Sequence, residues 1–265
     1  MCASVQAPRN RRMCASARRR PAGRRPNVPL VSPPKPLRAA NRLLEALPSG
    51  ELSRMLAGCE EVELSFADVL CTPGERILHV HFPIRSFISL VMPVDGSDSL
   101  EVGLVGREGM LGIGLALGVD VSPVSAVVQG AGSALRMEAD YFCRELERSQ
   151  ALQGGINRYV FVYLSQLAQR AACTRFHVVE ARLARWLLMT QDRAHADTFR
   201  ITHEFLAFML GVRRVGITKA ATSLQRRKLI HYSRGKITVV DRRGLRAASC
   251  GCYLADRQSY DRIIA

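Results

Sequence analysis

Apolar residues recur at helical spacing on both sides of Pro48 in PLRAANRLLEALPSGELSRMLAGC, which predicts two short helices. Beyond Glu61 the period shortens toward two. The β-branched runs VELSF, RILHVHF, SFISLVM, SLEVGLV, SAVVQ and SALRM alternate with turn signals at Pro73-Gly74, Asp95-Gly96-Ser97-Asp98, Gly106 and Gly130-Ala131-Gly132. Closely spaced strands with no long helix between most of them predict an antiparallel sandwich or jelly roll. After Asp140 the turns vanish. YFCRELERSQALQGGINRYVFVYLSQLAQRAACTR predicts one long helix or two abutting ones, interrupted only at Gly154-Gly155.

From Ile156 to Ala172 this helix is apolar on two faces. Ile156, Tyr159, Tyr163 and Leu167 belong to one stripe, and Phe161, Leu164, Ala168 and Ala171 to another. A helix apolar on two faces needs two covers. The simplest second cover is the same helix of another copy, so a two-fold homodimer is expected, with Ile156, Tyr159, Tyr163 and Leu167 as its interface. HVVEARLARWLLMTQDR then reads as an amphipathic helix, with Val178, Ala181, Ala184 or Arg185, and Leu188 near one face. A short TFRIT follows.

ITHEFLAFMLGVRRVGITKAATSLQRRKLI packs two short apolar-periodic runs around Gly211. Glycine there can take the left-handed conformation of a sharp turn between helices. Leu206, Leu210, Val212 and Ile217 then point inward, and Ala207 is small where the helices cross. This is the spacing of a helix-turn-helix. Its second helix would expose Arg213, Arg214, Thr218, Lys219, Ser223, Arg226 and Arg227, donors suited to a DNA major groove. KLIHYSRGKITVVDRRGL predicts strand, turn, strand and short helix, a wing that carries Arg234 and Lys236 toward the phosphate backbone.

The charge distribution sharpens this picture. The formal net charge is +15, but residues 39–201 carry fifteen basic against nineteen acidic side chains. The excess lies at the ends: ten Lys/Arg and no acid over residues 1–38, and eleven basic against two acidic over 202–246. The middle therefore suits sensing or packing, and the basic segment coincides with the helix-turn-helix. Residues 1–38 are rich in Arg and Pro and repeat MCAS, so a disordered basic arm without a secretory signal is expected.

Eight cysteines, at 2, 14, 59, 71, 143, 173, 250 and 252, include no C-x2-C pair. Cys250-Gly-Cys252 is read as two ordinary residues of a terminal segment. His79-Val-His81 would place both rings on one strand face without acidic or thiol partners nearby, and no metal site is expected. No nucleophile and base pair convincingly, Ser125 and His177 included, so an enzyme is not expected. A reducing cytoplasm fits the cysteine usage, and no run is long and apolar enough for a membrane span.

From about Asn41 the chain resembles the bacterial transcription regulators of the Crp/Fnr family, with LAFMLGVRRVGITKAATSLQRRKLI as the strongest motif. The resemblance implies an α+β protein. Residues 39–140 would be a cyclic-nucleotide-binding-like β-roll and 141–175 a dimerisation helix. Residues 176–246 would be a winged helix-turn-helix, with 247–265 a C-terminal tail. It further implies that Arg214 reads guanine and that Lys219 makes a second base or phosphate contact. The intervening residue is most often glutamate in the family and here is Val215, which cannot accept a hydrogen bond from cytosine, so an altered half-site is expected.

The family's phosphate-binding cassette corresponds to GREGMLGIGLALGVDVSPVSAVVQG. Gly112 keeps the glycine, but Ile113 stands in place of the glutamate, and Val124 precedes Ser125 where the arginine would be. Cyclic AMP and cyclic GMP are therefore not expected to bind as in the family's type member. An iron-sulfur cluster is not expected either, because the amino-terminal cysteine cluster is missing. The implied partners are double-stranded DNA, a second copy of the chain and RNA polymerase. The alternative is a ligand-binding or scaffold protein whose winged helix contacts protein.

Overall fold

The computed structural model describes residues 40–94, 99–194 and 196–264. The expected basic arm at 1–38 and the turn at 95–98 lie outside them. Two short helices, α1 (Arg42–Glu45) and α2 (Ser49–Ala57), flank Pro48 as the apolar spacing predicts. The Asn41 side chain caps α1 by accepting from Leu43 N, and its amide donates to the carbonyls of Pro83 and Gly109. This buried cap fastens α1 to the strands that follow.

Those strands are β1 (Cys59–Leu64), β2 (Val69–Cys71), β3 (His79–Pro83), β4 (Phe87–Pro93), β5 (Ser99–Val105), β6 (Ser125–Gly130) and β7 (Gly132–Glu138). They form two antiparallel sheets, in the orders β1-β7-β3 and β2-β6-β4-β5. The expected roll is therefore present. Its short β2 escaped the sequence reading because three residues carry too little alternation. RILHVHF becomes a strand only at His79; before it the backbone forms a lone bridge from Arg76 to Val121.

The long helical region breaks at Ser149, giving α3 (Ala139–Arg148) and α4 (Gln150–Phe176). The Ser149 hydroxyl accepts from Leu152 N and starts α4. Gly154 and Gly155 lie inside that helix, which corrects the expected interruption: propagation across one glycine pair costs less than opening a packed helix. Next come α5 (Val179–Ala194), β8 (Thr198–Arg200), α6 (His203–Leu210) and α7 (Arg214–Arg226). The chain ends with β9 (Ile230–Ser233), β10 (Lys236–Val239), α8 (Arg242–Ala248) and α9 (Cys252–Ile264).

Two expectations fail at the ends of this region. Helix α5 is not amphipathic in place, since Arg182 to Gln191 are all buried, while Val178, expected on its packed face, is exposed. The terminal segment is not an irregular tail. Its helix α9 lies along α4 and touches α5, with Tyr260 Oη donating to Glu108 O at 2.7 Å and Arg42 over the Tyr260 ring.

The dimer assignment needs correction too. Ile156 and Tyr159 are buried in the protomer's own core with Leu152, Phe82 and Phe142. Tyr163 packs on the roll beside Leu90 and Val124, and Leu167 is half-buried. The outward stripe is the other one: Phe161 is 59% and Leu164 57% exposed, and Ala168 and Ala171 are exposed with them.

Candidate nucleic-acid interface and effector cavity

Gly211 ends α6 at φ 60° and ψ 47°, the left-handed turn its position predicts. Helix α7 restarts three residues later. Leu206, Leu210, Ile217, Ala220, Ala221 and Leu224 share one core with α5 and the winged sheet, and Val212 packs against it. This packing fixes the two helices, so the polar face of α7 points away from the core. Arg213, Arg214, Val215, Thr218, Lys219, Arg226 and Arg227 are all exposed, and Ser223 is half-buried.

The wing is the sheet β8-β10-β9. Arg234 at φ 48° and Gly235 at φ 73° close the β9–β10 hairpin, a pair of left-handed residues that matches the twist of the strands. Arg234 and Lys236 are exposed there.

Two expected contacts are already engaged within the chain. Arg227 Nη1 donates to Glu180 Oε1 at 2.8 Å. Thr218 Oγ1 donates to Arg214 O and lies 3.1 Å from His203 Nδ1. The His203 ring stacks on Tyr232 with centroids 4.1 Å apart. Burial, then the Arg214 guanidinium, lower the His203 pKa, so the neutral ring supports the start of α7. Sequence reasoning missed His203. Its only signal is its place directly after Thr202, which caps α6 through Phe205 N.

The second site is a cavity of about 690 Å³ in the roll. Gly112, at φ 95°, leads into a 3-10 turn at Ile113–Leu117. Gly112, Ile113 and Val124 line the cavity as expected, whereas Ser125 is not among the lining residues. The wall is mostly aliphatic, and α4 contributes Tyr159, Val160, Tyr163 and Leu164. Arg76 at the rim is paired with Asp120 at 2.9 Å, and His79 with Glu138 at 3.0 Å. The expected lack of an acidic partner for His79 is thereby corrected. His81 is buried with Nδ1 unpartnered, and burial, with smaller effects of His79 and Arg136, holds its pKa down near about 4.

A third grouping gives Cys250-Gly-Cys252 neighbours that its sequence context did not show. With Cys173 and His177 these residues bring four possible ligand atoms within 4.8 Å of one another. Cys173-x3-His177 on the last turn of α4 was the available signal, but it joins the C-x-C pair only through the fold.

The matches to known proteins agree with this geometry. The family described as the Crp-like helix-turn-helix domain matches residues 181–248. This Crp-like domain spans α5 through α8, so the family match includes the wing. Among solved structures, FixK2 from Bradyrhizobium japonicum matches with a TM-score of 0.62 at 11% identity, over 73% of this chain and 98% of that one. The c-di-GMP-responsive global regulator CLP of Xanthomonas campestris matches at 0.60 and 18%, over 72% and 99%. A CRP/FNR-family transcriptional regulator of Thermus thermophilus matches at 0.58 and 21%, over 72% and 98%. At these identities the likeness establishes a shared fold, the roll followed by the Crp-like domain. No curated protein matches the sequence. No helix among the described residues is long and apolar enough to cross a membrane.

Proposed function

We propose that the protein is a sequence-specific DNA-binding transcription regulator that acts as a homodimer on a pseudo-palindromic operator. The observation that carries this reading is the exposed, basic start of α7, held by the Gly211 turn and flanked by a basic wing. Two such helices in successive major grooves read half-sites about one helical turn apart. Arg214 and Lys219 supply base discrimination, while Arg213, Arg226, Arg234 and Lys236 position the duplex through phosphates. The exposed stripe Phe161, Leu164, Ala168 and Ala171 has the 3-4-3 spacing of a two-helix seam, which supports pairing of α4 with a second copy.

The cavity is the effector site of this reading. Its aliphatic wall and the pairing of Arg76 with Asp120 favour an apolar small molecule over a cyclic nucleotide, whose phosphate would find no free guanidinium among the described lining residues. The deciding experiment selects bound sequences from a random duplex pool, with Arg214→Ala as control. A two-fold symmetric site enriched by the parent and not by the variant is the expected result. Equal, motif-free binding by both proteins would reject sequence-specific reading by α7.

A further inference from the structure

The end of α4 and the link between α8 and α9 meet at a compact group of metal-binding side chains. Cys173 Sγ lies 3.5 Å from Cys250 Sγ, and Cys252 Sγ lies 3.6 Å from His177 Nδ1. Tetrahedral zinc has bonds of about 2.3 Å to sulfur and about 2.0 Å to nitrogen, so its ligand atoms stand about 3.5–3.8 Å apart. These two separations match those edges, and all four ligand atoms lie within 4.8 Å of one another. The group is too tight for a multi-iron core and has room for one ion. The three sulfurs are buried, His177 is half-buried, and all four come from fixed positions: the last turn of α4 and the first residue of α9 with its near neighbour.

We propose that Cys173, His177, Cys250 and Cys252 form a closed, structural zinc site that fastens the end of α4 to the start of α9. The surroundings favour the thiolates that zinc requires. Gln169 Nε2 donates to Cys252 Sγ at 2.9 Å. The Arg185 guanidinium, held by Asp256 at 2.5 Å, adds positive charge beside Cys173. Zinc with three thiolates and a neutral histidine carries a net charge of −1. Binding would release the thiol protons to water, with no redox change. Three buried thiols could also pack as small apolar groups, but that leaves unexplained why a histidine nitrogen points at one of them.

The test is metal analysis of the full chain, purified without chelator from zinc-replete medium. One zinc per chain is expected in the parent and in Cys143→Ser, which lies outside the group, with loss of zinc in Cys173→Ser and Cys250→Ser. Cobalt loaded into the parent should show the absorption of a tetrahedral thiolate site, shifted in His177→Ala. Excess chelator should lower the parent's melting temperature without altering that of Cys250→Ser. A metal-free parent whose thiols all react freely, a Cys173–Cys250 disulfide found by mass spectrometry, or iron in place of zinc would each overturn the assignment.

Discussion

Arg214 opens α7 with an exposed side chain, whereas Arg227 at the other end is paired with Glu180. Equal charge at these two positions therefore has unequal consequences. Arg214→Ala should weaken binding to the selected operator by ~1–3 kcal/mol and relax the sequence preference at one base pair. Arg227→Ala should lower affinity by less, and by the same factor on every sequence, because its guanidinium already has a partner. Competition titrations with operator and scrambled duplexes separate the two, and identical behaviour of the variants would contradict the assigned roles. His81 carries a prediction of another kind. Its pKa falls from 6.5 to about 4 on folding, chiefly through burial, so the unfolded chain binds the extra proton more readily. The stabilisation is full above 6.5 and is lost as pH falls toward 4, to a limit of roughly 3 kcal/mol. Denaturant melts of the parent should weaken across that window, and those of His81→Gln should weaken less.

At the scale of elements, α4 separates two surfaces that share one sequence pattern. Leu164→Asp should abolish the proposed dimer while leaving each protomer folded, because Leu164 faces outward. Ile156→Ala should lower the melting temperature, consistent with a core truncation of about 2–5 kcal/mol, and leave association intact. Sedimentation velocity and thermal melts together check both; a dissociated Ile156→Ala and a dimeric Leu164→Asp would reverse the assignment of faces. The sequence displayed both stripes of α4 but not their partners, since periodicity records that a face is apolar and not what covers it. The helix-turn-helix was legible because Gly211, the inward Leu206 and Ile217, and the basic exposed positions all lie within one short segment. Cys173 and Cys250 were not, being 77 residues apart and joined only by packing. The helix α9 was likewise missed, because its buried residues, Cys252, Tyr253, Asp256 and Tyr260, include a charged one that is explained by Arg185.

On the scale of the whole molecule, a buried carboxylate joins the helix that lines the cavity to the strand beside the α6–α7 turn. Glu101 on β5 accepts from Arg170 Nη1 of α4 at 2.6 Å, Ser89 Oγ of β4 at 2.9 Å and Trp186 Nε1 of α5 at 3.2 Å. At one end of this connection, Tyr159, Tyr163 and Leu164 of α4 line the cavity. At the other, Leu100 of β5 abuts Gly211, where an added Cβ would lie 3.0 Å from its Cδ1. Under the proposed function, a ligand that displaces Tyr163 would move the helix that holds Arg170, and with it the strand against which the α6–α7 turn rests. It also reaches Leu164, which belongs to both the cavity wall and the exposed seam. Glu101→Ala would leave the part-buried Arg170 guanidinium with only the Glu101 carbonyl as acceptor and should destabilise the fold. Glu101→Gln is the informative variant, since it keeps an acceptor for Trp186 and Ser89 but removes the charge that holds Arg170. An apolar fluorescent probe should bind the parent and Glu101→Gln alike, because neither loses cavity wall. Coupling of ordinary size would change the parent's operator affinity by about 5–150-fold on probe binding, and that change should shrink in Glu101→Gln. Equal changes in both proteins would mean that the signal bypasses Glu101 and runs through the seam at Leu164.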